Sequence, residues 1–189
     1  MRKAIILLFL LLSLTSLYAG CEYLSASFSG GYTSLSHRGA FGFNSSYQVF
    51  EYANSSVALG FGVTANLHFL VNADNFALSS AVMSGPAIQI GMTPSSTLNI
   101  SSGFAFYSES GILDFEDDYM GIGIGSSISY NHYVNHHKDV AFSMGIANYT
   151  SFIGFDESNR EPSSYTSIFF GVALRSFYDH AELYDYYLF

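Results

Sequence analysis

The chain has 189 residues, enough for one domain, and carries a formal net charge of −9. Only 11% of residues are charged while 17% are aromatic (18 Phe, 15 Tyr, no Trp), which excludes a disordered chain and leaves too few charges to coat a water-facing surface. Six basic residues cannot neutralise a phosphate backbone, so nucleic acid is excluded as a partner.

Met1 to about Gly20 reads as a secretory signal. Arg2 and Lys3 supply the positive start, Ile5 to Leu12 the apolar core, and Leu17-Tyr18-Ala19-Gly20 the small-residue exit. The mature domain is then 21–189, with a net charge of about −11 once Arg2 and Lys3 leave. No later stretch offers 18 uncharged apolar residues, so no helical span is expected. Cys21 is the only cysteine, which rules out an internal disulfide. It stands directly after the exit, where Ala19-Gly20-Cys21 resembles the end of a bacterial lipobox, with Tyr18 in place of the usual leucine. Two readings follow: acylation of Cys21, or ordinary cleavage near Ala19 or Gly20.

The first strand runs Leu24 to Leu35, alternating Leu24, Ala26, Phe28, Gly30 and Tyr32 against Ser25, Ser27, Ser29, Gly31 and Thr33. The second runs from about Ala40 to Tyr52, with Phe41, Phe43, Ser45, Tyr47 and Val49 on one face. The third, Val57 to Val71, is the clearest. Val57, Leu59, Phe61, Val63, Ala65, Leu67, Phe69 and Val71 form one apolar face, and an uncharged, mostly small face lies between them. Fifteen residues are far more than the ~5–6 of a soluble strand and exceed the ~9–11 that cross a bilayer at a tilt. The fourth spans about Ser80 to Met92, with a bulge expected at Pro86, which cannot donate to a ladder. The fifth is Thr97 to Ser108, the sixth Tyr119 to about Tyr133, and the seventh Val140 to about Ile153 with a phase slip near Asn148. The eighth is Tyr165 to about Tyr178.

Turns at Ala53, Thr93 and Asn135 are short, whereas loops at Asn72, Glu109 and Phe155 are longer. This parity belongs to an all-β, antiparallel, up-and-down transmembrane barrel of eight strands, with ten possible if the tail continues. Both termini then lie on the short-turn side, in the periplasm. The chain ends Tyr186-Tyr187-Leu188-Phe189, and a terminal Phe after alternate aromatic or apolar residues resembles the signal read by the barrel assembly machinery. These features together resemble the small eight-stranded outer-membrane barrels of the OmpA, OmpX and OmpW types. The resemblance is architectural, without a motif of one family. It implies a bacterial outer-membrane location, with lipid around the wall.

The lumen face is mostly Ser, Gly, Ala and Thr. Its larger members are Gln48, Asn66, His68, Gln89, Asn99, Tyr107, Asn131, Tyr149, Arg175 and Phe177. Small residues in a lumen normally just filled by side chains are expected to leave volume, which reads either as a narrow pore or conduit for a small or hydrophobic solute, the lead expectation, or as a water-filled plug with inward-folded loops. The alternatives are a non-conducting structural or adhesive surface barrel and a lipid-modifying enzyme, a hydrolase or acyltransferase. The loop with Glu109, Asp114, Glu116, Asp117 and Asp118 reads as a solvated acidic surface. His132, His136 and His137 are an incomplete metal set, and no cofactor is expected. Tyr32, Tyr47, Tyr52, Phe106, Tyr119, Tyr130, Tyr165 and Tyr178 are expected in interfacial girdles.

Overall fold

A strand that alternates apolar with small polar residues needs a wall with two different faces. The computed structural model describes residues 20–34, 38–53, 56–71, 76–111, 119–134, 139–155 and 164–178. They form β1 (Gly20–Thr33), β2 (Arg38–Tyr52), β3 (Val57–Val71), β4 (Phe76–Thr93), β5 (Ser96–Gly111), β6 (Tyr119–Tyr133), β7 (Val140–Gly154) and β8 (Ser164–Tyr178). Each strand pairs antiparallel with the next, and β8 closes on β1. Closure leaves no open edge, which lipid could not satisfy.

One circuit of pairing partners starts at Cys21 and passes through Phe50, Gly60, Ala87, Ser101, Ser127, Ala147 and Ser167. It returns to β1 at Gly31, ten residues from its origin. That stagger sets the tilt of the strands and the width of the lumen. The outer face carries Phe28 at 72% exposure, Phe104 at 81% and Ile168 at 66%. In water so large an apolar wall would be an aggregation site; against lipid tails it is the expected surface.

The structure moves several boundaries. Phe76 to Ser79, expected in a loop, belong to β4, where His68 pairs with Ser79. Glu109 to Gly111 belong to β5, because Glu109 continues the lumen phase of Tyr107. The connection 72–75 is thereby no longer than 53–56, so the expected parity of short and long loops holds less sharply. No bulge forms at Pro86. Phe61 faces it in register, and Ser84↔Phe104 and Ala87↔Ser101 share one offset on either side. Proline needs only one ladder bond omitted, and the β4–β5 pairing passes over Gly85 and Pro86 without an inserted residue. The irregularity of β4 lies at Gly91 to Thr93. The slip placed near Asn148 is found at Phe152, the extra residue between Ser151 and Ile153 opposite Gly123 and Ile122. Asn148 stays in phase on the outer wall, where its side-chain amide donates to Thr166 Oγ1 at 2.8 Å. A polar residue on an apolar face mimics a change of phase in hydropathy alone.

Gly20, at the end of the expected signal, already pairs with Glu51 and Tyr178. Residues 1–19 and the tail with Phe189 lie outside the described residues, as do Asp114, Glu116, Asp117, Asp118, His136 and His137.

Candidate functional site

The lumen is crossed by two layers of large side chains, one near each end. At the end where β1 begins, Cys21, Tyr23, Phe50 and Tyr133 pack together, with Tyr52 and Phe177 against them. Three amides on different strands link in sequence here. Gln89 Nε2 donates to Asn99 Oδ1 at 3.1 Å, and Asn99 Nδ2 donates to Gln48 Oε1 at 3.0 Å. Tyr23 on β1 donates to Asn131 on β6, whose amide reaches Thr97 Oγ1 at 3.5 Å. Arg175 is buried, with its guanidinium carbon 4.0 Å from the centre of the Tyr133 ring and 4.4 Å from that of Phe177. A planar guanidinium between ring faces offsets part of its desolvation by cation–π attraction.

At the other end Tyr107, Tyr119, Tyr149, Tyr165 and Phe169 form the second layer. Tyr165 on β8 is its hub, with ring centres 4.8 Å from His68, 6.1 Å from Tyr107 and 6.3 Å from Tyr149. Glu109 is buried here, and both Tyr107 and Thr33 donate hydrogen bonds to its carboxylate. Asn44 Nδ2 donates to Asn66 Oδ1 at 2.6 Å, and Asn66 donates in turn to Tyr149 on β7. Tyr119 bonds to Ser151, and Ser29 to His68 Nε2.

The structure therefore places Asn66, His68, Tyr107 and Tyr149 in one layer and Gln89, Asn99, Asn131 and Arg175 in the other. Glu109 is not a loop carboxylate; it joins the first group. Tyr52, Tyr119 and Tyr165 are not in a girdle but inside the barrel, while Tyr32, Tyr47, Phe106 and Tyr130 do face outward. Phase would have found all four misplaced residues, Tyr52 sharing that of Gln48 and Phe50. Tyr119 alternates with Gly121 and Gly123, Tyr165 with Ser167, and Glu109 with Tyr107. The small lumen residues are partly seats for the rings. A Cβ on Gly145 would lie 2.5 Å from Phe169 Cζ, and one on Gly121 would lie 2.6 Å from Tyr119 Oη. Smallness on the lumen face thus does not translate into free volume at the two ends.

Cys21 also points inward and is fully buried, with Sγ 3.8 Å from Gln89 Oε1. Ser29 and His68 are a serine–histidine contact, but His68 Nδ1 has no hydrogen-bond partner, so no third group orients the imidazole. Among the described residues no three metal-binding side chains cluster.

The fold defines the class: a small eight-stranded barrel of the bacterial outer-membrane type. Neisserial surface protein A is similar in structure, with a TM-score of 0.59 over 81% of this chain and 96% of that one, at 13% sequence identity. Ail, the attachment invasion locus protein of Yersinia pestis, is similar at a TM-score of 0.53 over 83% and 99% of the two chains, at 12% identity. The sequence matches no protein-family model and no curated protein.

Proposed function

We propose that the chain is a closed outer-membrane barrel that acts through the surface it presents outside the cell, not by passing solute. The observation that carries this reading is the set of hydrogen bonds between strands that are not neighbours. Thr33 on β1 reaches Glu109 on β5, Asn66 on β3 reaches Tyr149 on β7, and Tyr23 on β1 reaches Asn131 on β6. Such bonds cross the lumen itself. Net contributions of about 1 kcal/mol each put a state with three of them broken at roughly one per cent or less.

A surface role fits what surrounds the barrel. The connections 112–118 and 155–163 are the longest and leave the barrel at the end opposite Gly20. The first carries Asp114, Glu116, Asp117 and Asp118, so its charge suits a basic partner. One structural relative, Ail, is an attachment protein by name, and it has been seen with a heparin analogue. This chain is acidic, so a sulfated polysaccharide is not the partner its charge favours. The outer-membrane location rests on the signal, the apolar wall and the fold, and assembly through Phe189 belongs to the same reading.

The conduit for small or hydrophobic solutes is the second reading. What favours it is the narrow girth of the side chains midway down the lumen. Solute-loaded vesicles containing the purified protein decide between the two. The closed barrel leaves swelling rates in small sugars at the level of empty vesicles. Swelling that tracks sugar size establishes a pore instead.

A further inference from the structure

The outer wall carries polar side chains where lipid tails lie deepest. In one turn the circuit of ladder partners climbs ten residues along β1, away from the Gly20 end, so a level line drops a little more than one residue per strand below it. Phe104 stands at the middle of β5, and its ladder partner on β6 is Ile124. The outward residues nearest its level are therefore Ser126 on β6, Asn148 on β7 and Ile168 on β8. Around the rest of that level the wall shows Phe28, Phe43, Ala65 and Val82. Ser126 is the central residue of β6 and Asn148 stands one past the centre of β7, so the pair lies close to the bilayer midplane. Hydrocarbon offers neither donor nor acceptor, and the barrel itself meets only part of the demand. Asn148 Nδ2 donates to Thr166 Oγ1 at 2.8 Å and Oδ1 accepts from Thr150 Oγ1 at 3.2 Å, which leaves the amide one N–H and one lone pair. Ser126 is exposed, and its hydroxyl bonds to no other described residue. Its ladder partner Ser102 donates instead to the Gly125 carbonyl at 3.0 Å. Phe104 and Ile168, two of the most exposed side chains of the wall, bracket the pair.

We propose that the β6–β7 wall is the contact surface for a second copy of this chain, in a dimer whose two-fold axis runs along the membrane normal between Ser126 and Asn148. Insertion in one direction gives both copies the same up and down, which leaves that axis for a closed pair. About it, Ser126 of one copy faces Asn148 of the other, and the pairing occurs twice. A hydroxyl that both donates and accepts then meets an amide with one site of each kind left. Phe104 of one copy comes opposite Ile168 of the other, also twice, at the flanks where two curved walls part and only long side chains reach. The surface is thus complementary to itself at its polar centre and at its apolar margins. An acyl chain covers the wall but pairs with neither polar group, and lipid headgroups lie at the strand ends. The inference does not depend on whether the lumen conducts.

Energy transfer between dye-labelled barrels in lipid vesicles tests this. The dyes are carried at Pro94→Cys, exposed in the β4–β5 turn, in protein with Cys21→Ser. Transfer is expected to rise with the protein-to-lipid ratio and to saturate at two copies, counted by bleaching steps. Transfer no greater than that of randomly dispersed monomers overturns the proposal, and clusters without a two-copy limit overturn the two-fold. Ser126→Leu with Asn148→Leu, in barrels that still migrate as folded before boiling, is expected to raise the ratio for half-association about tenfold, as two modest hydrogen-bonded pairs in lipid would. Phe104→Ala with Ile168→Ala tests the margins of the same surface and is expected to shift the ratio in the same direction. Phe43→Leu, on the opposite wall, is expected to leave it unchanged. Association undiminished by both pairs of exchanges, or weakened equally by Phe43→Leu, overturns the assignment to β6 and β7.

Discussion

A single inward carboxylate shows how much a residue's phase decides. Glu109 accepts from both Tyr107 and Thr33, so its removal takes away their shared acceptor and leaves Tyr107 only Thr33 Oγ1, at 3.1 Å. Glu109→Ala is expected to cost about 1–3 kcal/mol, read from the urea midpoint of the barrel in detergent, with Glu109→Gln closer to wild type because it keeps an acceptor. No loss for the alanine variant would contradict the placement. Cys21 gives a second residue-scale test. An acyl chain on a thiol that points into the lumen requires the first pairs of β1 to open, so the mature protein is expected to incorporate no labelled palmitate. The thiol is also expected to react with maleimide only after boiling; rapid reaction of the folded barrel would contradict this. Glycines divide in the same way. A Cβ on Gly31 would lie 2.3 Å from the Thr166 carbonyl oxygen, whereas Gly39 has nothing within 4 Å. Gly31→Ala is expected to cost about 1–3 kcal/mol and Gly39→Ala almost nothing, measured by the same unfolding assay.

At the scale of the strand, the two faces obey different solvents. Phe104 stands on the outer face of β5 at 81% exposure, and Phe104→Arg is expected to cost about 2–4 kcal/mol and to lower the fraction that folds into lipid vesicles. Ser127→Ala, on the lumen face of β6, is expected to fold as well as wild type, and equal behaviour of the two variants would reverse the face assignment. Period two in β3 and β6 was legible without a structure, because the outward residues are mostly apolar and the inward ones of the strand centre are small. Boundaries were less legible where a strand leaves the apolar zone. Ser79 and Glu109 look like loop residues by polarity, and only their phase relative to Ala81 and Tyr107 marks them as strand. Asn148 misled in the other direction, since its bond to Thr166 satisfies a polar group on the outer wall. Asn66, Gln89, Asn131 and Tyr149 are buried on the inner face; what one chain's alternation does not reveal is which residues meet across it. That depends on the ten-residue stagger, which brings Asn66 opposite Tyr149 and Tyr23 opposite Asn131.

For the molecule as a whole, the wall and the lumen are stabilised by different means. Ladder bonds and lipid hold the wall, while side-chain bonds across the lumen hold the two layers. Loss of the layers therefore need not destroy the barrel, and that separation makes the lumen experimentally accessible. The direct measurement is single-channel current in a planar bilayer, comparing the unaltered barrel with one carrying Tyr23→Ala and Asn131→Ala in one layer and Tyr107→Ala and Tyr165→Ala in the other. No current steps from the unaltered barrel and clear steps from the quadruple variant are expected. Steady current through the unaltered barrel would contradict the closed lumen.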